Sequence, residues 1–382
     1  MYVKLIKNKF VIGFIVLFFV IIADYMLPNI NLVDRAIVVG MGIDYVSEEE
    51  ISMSVQYVIP KSNAANQSVQ SGFAVATQSG VAIGEIMVKF QNMLGIYVSL
   101  AHSSIIVIGE EYAKKGNFEI LKYLMINEKV PDTSKIVVSE GKASDFIRLN
   151  IPYSDIVSYQ LRNLLGSLEE THGVTNFDIN RFLQADKEGN TAKYIPYAIV
   201  EKFDKNNFQD SDVQSSDIEF YTCNIDNTAV FDNGGMKLVL TKEESNGLSY
   251  VIKTTKNGYI TIKSDGNEIL NVKLISIGSK INVNSSDLSA KIEVDAKVTV
   301  YDSDKVTVKA SRLSETEENR FKGVITKNIF DCYSVCKDSN IDIFGFSELF
   351  YKEDSKKWES LNTLDLLSKL RLDIIVNVKY IN

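Results

Sequence analysis

The side chains best suited to nucleophilic or metal chemistry in this 382-residue chain are two histidines, His102 and His172, and three cysteines, Cys223, Cys332 and Cys336. Cys332 and Cys336 are four residues apart, which places them on one helix face, but a zinc site built on that spacing would need histidines that are absent nearby. Neither histidine has a cysteine or a metal-spaced partner in the sequence around it, so both read as surface or structural residues. Acidic pairs occur at Glu48 to Glu50, Glu110-Glu111, Glu169-Glu170 and Glu243-Glu244. Neighbouring strand positions point opposite ways, and in the first turn of a helix such pairs favour the helix dipole, so none reads as an acid–base couple. Gly40-Met-Gly42 with Asp44 resembles a nucleotide loop only superficially, because a glycine at position 45 and a following helix are missing. Those glycines read instead as points of close backbone approach. No G-x-S-x-G element, P-loop, glycosidase pair or calcium loop is present, and the expectation is a chain with no catalytic, cofactor or metal site.

What must position any function is a folded body behind an apolar leader. Phe10 to Ala23 is an unbroken apolar run of 14 residues, preceded by Lys4, Lys7 and Lys9 and followed by Asp24. As a helix it spans about 21 Å against a hydrocarbon core of about 30 Å, and Tyr25, Met26 and Leu27 could extend it. Three readings stay open: an uncleaved anchor from Phe10 to Leu27, with Phe10, Phe14, Leu17, Phe18 and Ile21 in the membrane; a secretory signal ending at a poor small-x-small site, Ile21-Ile22-Ala23; or a buried core helix. The basic flank holds the leading end in the cytoplasm and places the body outside. A composition that is 45% apolar with five prolines suits two or three ordinary domains. The net charge of −8, without clustered Lys and Arg, argues against nucleic acid as a partner. Three cysteines imply no disulfide framework.

Residues 36–45 and 51–59 predict a hairpin around an exposed acidic turn, and Lys61 to Gly72 a polar loop. Helices are expected from Ser79 to Gly95, over 117–126, 142–149, 155–168 and 177–185, alternating with strands at 103–109, 135–139 and 194–203, a mixed α/β pattern. Asp204 to Asp217 is acidic and polar, and is the best interdomain linker. Beyond it, 221–231 and 237–240 flank the turn Asn233-Gly234-Gly235, and Thr241 to Glu244 forms a capping box. Strands at 258–262, 268–277, 290–301 and 305–309 predict one antiparallel sheet. A helix from Glu315 to Val335 buries Phe321, Val324, Ile325 and Ile329, and Leu370 to Tyr380 alternates as a half-buried strand. The resulting division is an anchor or signal over 1–28, an α/β domain over 32–203, the linker, and an α+β domain over 218–382 that can split into a sheet at 219–309 and a helix at 315–336.

Four stretches in register then resemble the Ger(x)C family, the C subunits of nutrient germinant receptors of spore-forming bacteria. They are Ala36-Ile-Val-Val-Gly-Met-Gly-Ile-Asp44, His102 to Glu111, Ala229-Val-Phe through Gly247, and Ile341-Asp-Ile-Phe-Gly-Phe-Ser-Glu348 followed by Lys356-Lys-Trp358 and the last strand. The resemblance implies a non-enzymatic subunit on the outer face of the spore inner membrane, the cytoplasmic membrane of the forespore, partnered by A-type and B-type membrane proteins. Members are typically lipoproteins with a cysteine at the end of the signal segment. Here the first cysteine is Cys223, so the leader itself would have to hold the chain. Asp342, Glu348 and Trp358 form a candidate partner surface. The competing structural reading packs Phe344 and Phe346 in the core, with Gly345 allowing close backbone approach. The rival function is an exported solute-binding or cell-envelope enzyme domain, which would need a deep pocket with convergent polar groups.

Overall fold

The computed structural model describes residues 12–22, 35–58, 73–152, 156–171, 178–185, 192–204, 218–232, 234–252, 255–266, 269–301, 312–358 and 363–381. His172, the polar loop 61–72, most of the acidic stretch 204–217 and the expected strand at 305–309 lie outside the described residues. Residues 12–22 form a helix, α1, exposed along nearly all its length.

Among the described residues the first sheet has nine strands: β1 (Arg35–Tyr45), β2 (Ile51–Val58), β3 (Phe73–Gly80), β4 (Tyr97–Ser99), β5 (Ile105–Gly109), β6 (Lys135–Ser139), β7 (Lys193–Lys202), β8 (Tyr221–Asp232) and β9 (Gly235–Leu240). They run in the order β3-β2-β1-β5-β6-β7-β8-β9, with β4 beside β1. The centre, β1-β5-β6-β7, is parallel, and antiparallel pairs flank it on both sides. Parallel strands need crossovers, and helices supply them: α2 (Ile83–Leu94), α3 (Glu110–Lys115), α4 (Glu119–Asn127), α5 (Ala143–Ile147), α6 (Val157–Thr171) and α7 (Ile179–Ala185).

Helices cover both faces of this sheet, which is why β5 reads Ile-Ile-Val-Ile-Gly with every residue buried. Ile106 and Ile108 face one core, with Ile86 and Phe90 of α2 and Leu121 and Leu124 of α4. Ile105 and Val107 face the other, with Phe146 and Ile147 of α5 and Leu161 and Leu165 of α6. β1 passes close beneath α5 and α6, and the glycines make this possible. A Cβ on Gly40 would lie 2.1 Å from the Ser158 hydroxyl, and one on Gly42 would lie 3.0 Å from Ala143. Ser158 donates its amide (3.0 Å) and hydroxyl (2.7 Å) to the buried Gln56 carbonyl oxygen. Asp44 accepts from the amides of Ala143 (2.7 Å) and Ser144 (2.8 Å), satisfying donors at the start of α5 from a strand about a hundred residues earlier in the chain.

The second sheet is β10 (Lys256–Lys263), β11 (Ile269–Asn284), β12 (Ser289–Tyr301) and β13 (Arg371–Tyr380), in that order. One face packs on α8 (Lys242–Ile252) and α9 (Glu315–Asp338), joined by α10 (Phe346–Glu353) and α12 (Thr363–Lys369), with the short α11 (Ser355–Trp358) between them. The capping box expected at α8 is formed: the Glu244 amide donates to Thr241 Oγ1 at 3.4 Å and the Thr241 amide to Glu244 Oε2 at 2.8 Å. Ser314 and Glu317 form a second one at the start of α9.

One expectation about sheet membership is corrected. The strands after the acidic stretch do not form a single sheet over 219–309, because β8 and β9 pair onto β7 and complete the first sheet. The strands expected at 258–262, 268–277 and 290–301 pair antiparallel as β10-β11-β12, and β13 joins them parallel to β12 from Ser289↔Arg371 to Val298↔Tyr380. Alternation shows which face a strand buries but not which neighbour it pairs with. β8 also links the two halves, since Ala229 and Phe231 enter the α2/α4 core of the first sheet while Val230 enters the core of the second sheet. Phe231 stacks edge-on against Phe118 and Phe182, at ring separations of 5.3 and 5.8 Å.

Candidate functional site

The leader comes first because it carries the expected membrane contact. Phe14 is 73% exposed, and Leu17, Phe18 and Ile21 are also mostly exposed, so the buried-core-helix reading is overturned. Phe10 lies outside the described residues. Among the described residues no helix is long and apolar enough to cross a membrane, and the eleven residues of α1 span only about 16 Å.

Asp342, Glu348 and Trp358 are not brought together as one surface. Asp342 is 6% exposed, and its carboxylate accepts from the amides of Phe346 (2.9 Å) and Ser347 (2.6 Å). It therefore satisfies the orphan donors at the start of α10, and its assignment to a partner surface is corrected. Gly345 takes a left-handed conformation (φ 70°), which turns the chain so that Asp342 reaches those amides. Phe344 and Phe346 are buried and stack edge-on, as the structural reading expects. Glu348 is half-buried and pairs with Lys352 one turn on. Trp358 ends α11, and its side chain lies outside the described residues.

Burial pushes the Asp342 carboxyl above its ordinary value, against the lowering effect of the amides it accepts from. The folded protein then holds this proton at pH values where the unfolded chain, titrating near about 3.9, has lost it. The group's contribution to stability falls as pH rises through that window. In urea unfolding, the advantage of the native protein over Asp342→Asn is expected to shrink as pH is raised from below about 4. An advantage that grows with pH would contradict this.

The cysteines sit as the helix-face reading expects. Cys332 and Cys336 are fully buried on α9, and Cys223 lies on β8. Contact with the Cys336 thiol, then burial, raises the Cys332 thiol, and burial pushes Cys223 up to about 12. The thiolate is the reactive form, so native protein near neutral pH is expected to leave all three unmodified by Ellman's reagent, with three equivalents appearing on unfolding. Rapid reaction of any one in the native state would show a looser core. His102 is exposed beside a shallow polar depression of about 230 Å³ that includes Ser103, Ser134 and Arg162. The hydroxyls there are already committed: Ser134 donates to the Ser103 carbonyl (2.7 Å) and Ser103 to that of Ile105 (3.3 Å).

A larger groove, about 630 Å³, opens at the Tyr45 end of β1. Three separate segments build it: the acidic turn Glu48 to Glu50, the start of α2 from Val81 to Gly84, and α4 with Tyr112 behind it. Its floor and walls are apolar, with Ile51, Ile83 and Ile120 inside and Val81, Tyr123 and Ile126 exposed at the mouth. Glu48, Glu49, Glu50 and Glu119 rim it, against the single lysine Lys122. Lys115, just outside, bonds Glu48 at 2.5 Å and holds that carboxyl below its usual range, while lying 4.8 Å from the Tyr45 ring centre. Sequence reasoning saw the turn as exposed and acidic but not the groove, because its walls are far apart along the chain.

This architecture has known counterparts. Residues 29–200 match the family described as "Spore germination protein N-terminal domain", and residues 226–382 the one described as "Spore germination B3/ GerAC like, C-terminal". The chain is 22% identical to "Spore germination protein KC" of Bacillus subtilis (strain 168) over 385 residues, covering 96% of this chain and 94% of that protein. Its fold is similar to that in the "Crystal Structure of the GerBC protein", with a TM-score of 0.54 at 15% sequence identity, over 90% of this chain and 97% of that one. The two matched regions take in nearly the whole body on either side of the acidic stretch, and the chain belongs to the Ger(x)C family of spore germination proteins.

Proposed function

We propose that the chain is a membrane-anchored, non-enzymatic C-type subunit of a spore nutrient germinant receptor, working by contact with A-type and B-type membrane subunits. In this reading the body lies on the outer face of the spore inner membrane and helps couple nutrient recognition to ion and dipicolinate release. The supporting observation is the family match across both halves of the body, next to an N-terminal helix whose apolar side chains find no place in any of the three cores. Such a helix is costly in water and stable in lipid. The apolar run from Phe10, lengthened by Tyr25 to Leu27, serves as an uncleaved anchor in place of the family's lipid. Glu348 and Trp358 remain candidates for part of the partner contact. The body divides for this purpose at the acidic stretch 204–217, with β8 and β9 structurally part of the first sheet.

The test is removal of this chain from spores. Nutrient-triggered dipicolinate release is expected to fall at least tenfold, while release triggered by exogenous calcium dipicolinate persists. A tagged chain is expected to copurify with both membrane subunits from detergent extracts. Unchanged nutrient germination, with no membrane subunit recovered, would overturn the reading.

A further inference from the structure

We infer that the acidic-rimmed groove at the Tyr45 end of β1 is a docking site for a segment of a partner protein carrying Lys or Arg beside apolar side chains. Three observations carry this. First, three exposed apolar groups gather at one concave place: Val81 (69% exposed), Ile126 (59%) and Tyr123 (39%) all line the same mouth. Apolar surface gathered in a concave site and ringed by charge is the pattern of an interaction surface, whereas scattered exposed residues are not.

Second, the charge is one-sided. Four carboxylates line the groove with one lysine; Lys115 matches Glu48, and Lys122 lies 3.8 Å from Glu119. Among the described residues no cation is paired with Glu49 or Glu50, which leaves two carboxylates on the acidic turn for a cationic partner. Such complementarity chiefly sets partner choice and association rate, while the apolar floor supplies holding energy. Third, the groove is open along its side. Small-molecule sites enclose most of their ligand, whereas here Val81, Tyr123 and Ile126 stand exposed at the lip, which suits an extended or helical chain segment. An anionic lipid surface is disfavoured by the same carboxylates.

The inference rests on the receptor reading only for which protein supplies the segment. It is tested in spores by placing the photo-crosslinking residue p-benzoylphenylalanine at Tyr123, an aromatic-for-aromatic change, with Tyr259 of the second sheet, also exposed, as the control site. Irradiation is expected to give an adduct at position 123 and none of that identity at 259. The cross-linked peptide is expected to hold Lys or Arg beside apolar residues, and the yield to fall at least tenfold when Glu49→Lys and Glu50→Lys are combined. Native-like thiol silence in the double variant controls for folding. No adduct, an adduct to lipid or to a second copy of this chain, a peptide without a basic residue, or a yield indifferent to charge reversal would each overturn the inference. If the adduct qualifies but its partner is neither an A-type nor a B-type subunit, docking stands and the receptor reading fails. If copurification succeeds without the adduct, the reverse holds.

Discussion

Gly247→Ala is expected to cost about 3 kcal/mol of folding stability, the upper end for an overpacked core, and to lower the urea midpoint accordingly. In an ordinary helix the same change would stabilise by roughly 0.5–1 kcal/mol, because alanine restricts the unfolded chain and has the higher helix propensity. The packing of α8 on α9 reverses that sign. A Cβ on Gly247 would stand 2.0 Å from the Asn328 carbonyl oxygen, 2.4 Å from its carbonyl carbon and 2.8 Å from the Ile329 nitrogen. These are backbone atoms in the middle of a 24-residue helix, so no side-chain rotation relieves the clash. The helices must separate, and Ile325, Ile329 and Cys332, fully buried between α9 and the second sheet, lose contact. Gly323→Ala on α9 is the internal control: nothing lies within 4 Å of its Cβ position, and it is expected to be neutral or mildly stabilising. Equal effects at the two positions would mean the helices do not cross as described.

The second large effect concerns the leader. Leu17→Arg and Phe18→Arg together are expected to move most of the chain from the membrane pellet of spore lysates to the supernatant. Each arginine near the centre of a spanning segment costs about 2.5–3.5 kcal/mol, and two together exceed what so short an apolar run can offset. Tyr259→Arg adds the same charge type to an exposed site on the body and is expected to leave the distribution unchanged. Release by both variants would point to a surface-charge effect, and retention of the double-arginine chain would locate the attachment elsewhere.

Much of this fold was legible where a residue's neighbours along the chain decide its state. The β13 alternation, the unbroken apolar β5, the pairing of β8 with β9 and the capping box at Thr241 depend on local spacing, and each forms where expected. β3 escaped because Phe-Ala-Val-Ala-Thr-Gln-Ser-Gly is weakly patterned and becomes a strand by pairing with β2, although its last residues read as the start of a helix. The parallel seating of β13 and the recruitment of β8 and β9 into the first sheet are choices among equally alternating partners, which depend on long-range packing. Asp342 was misplaced for a similar reason. An acidic residue in a short apolar signature suggests a surface, and only the turn at Gly345 shows that it faces inward to cap α10. Asp44 follows the same logic: its partners, Ala143 and Ser144, lie about a hundred residues away. The groove, assembled from three distant segments, had no local signal beyond its acidic turn.

The central claim is that an intact apolar leader holds this folded body at a membrane. Fractionating dormant spores and sequencing the N-terminal peptide of the recovered chain by mass spectrometry tests it most directly. The account predicts a membrane-pelleted chain that still carries the residues before Asp24. A chain found in the soluble fraction, or one that begins after Ala23, would contradict it.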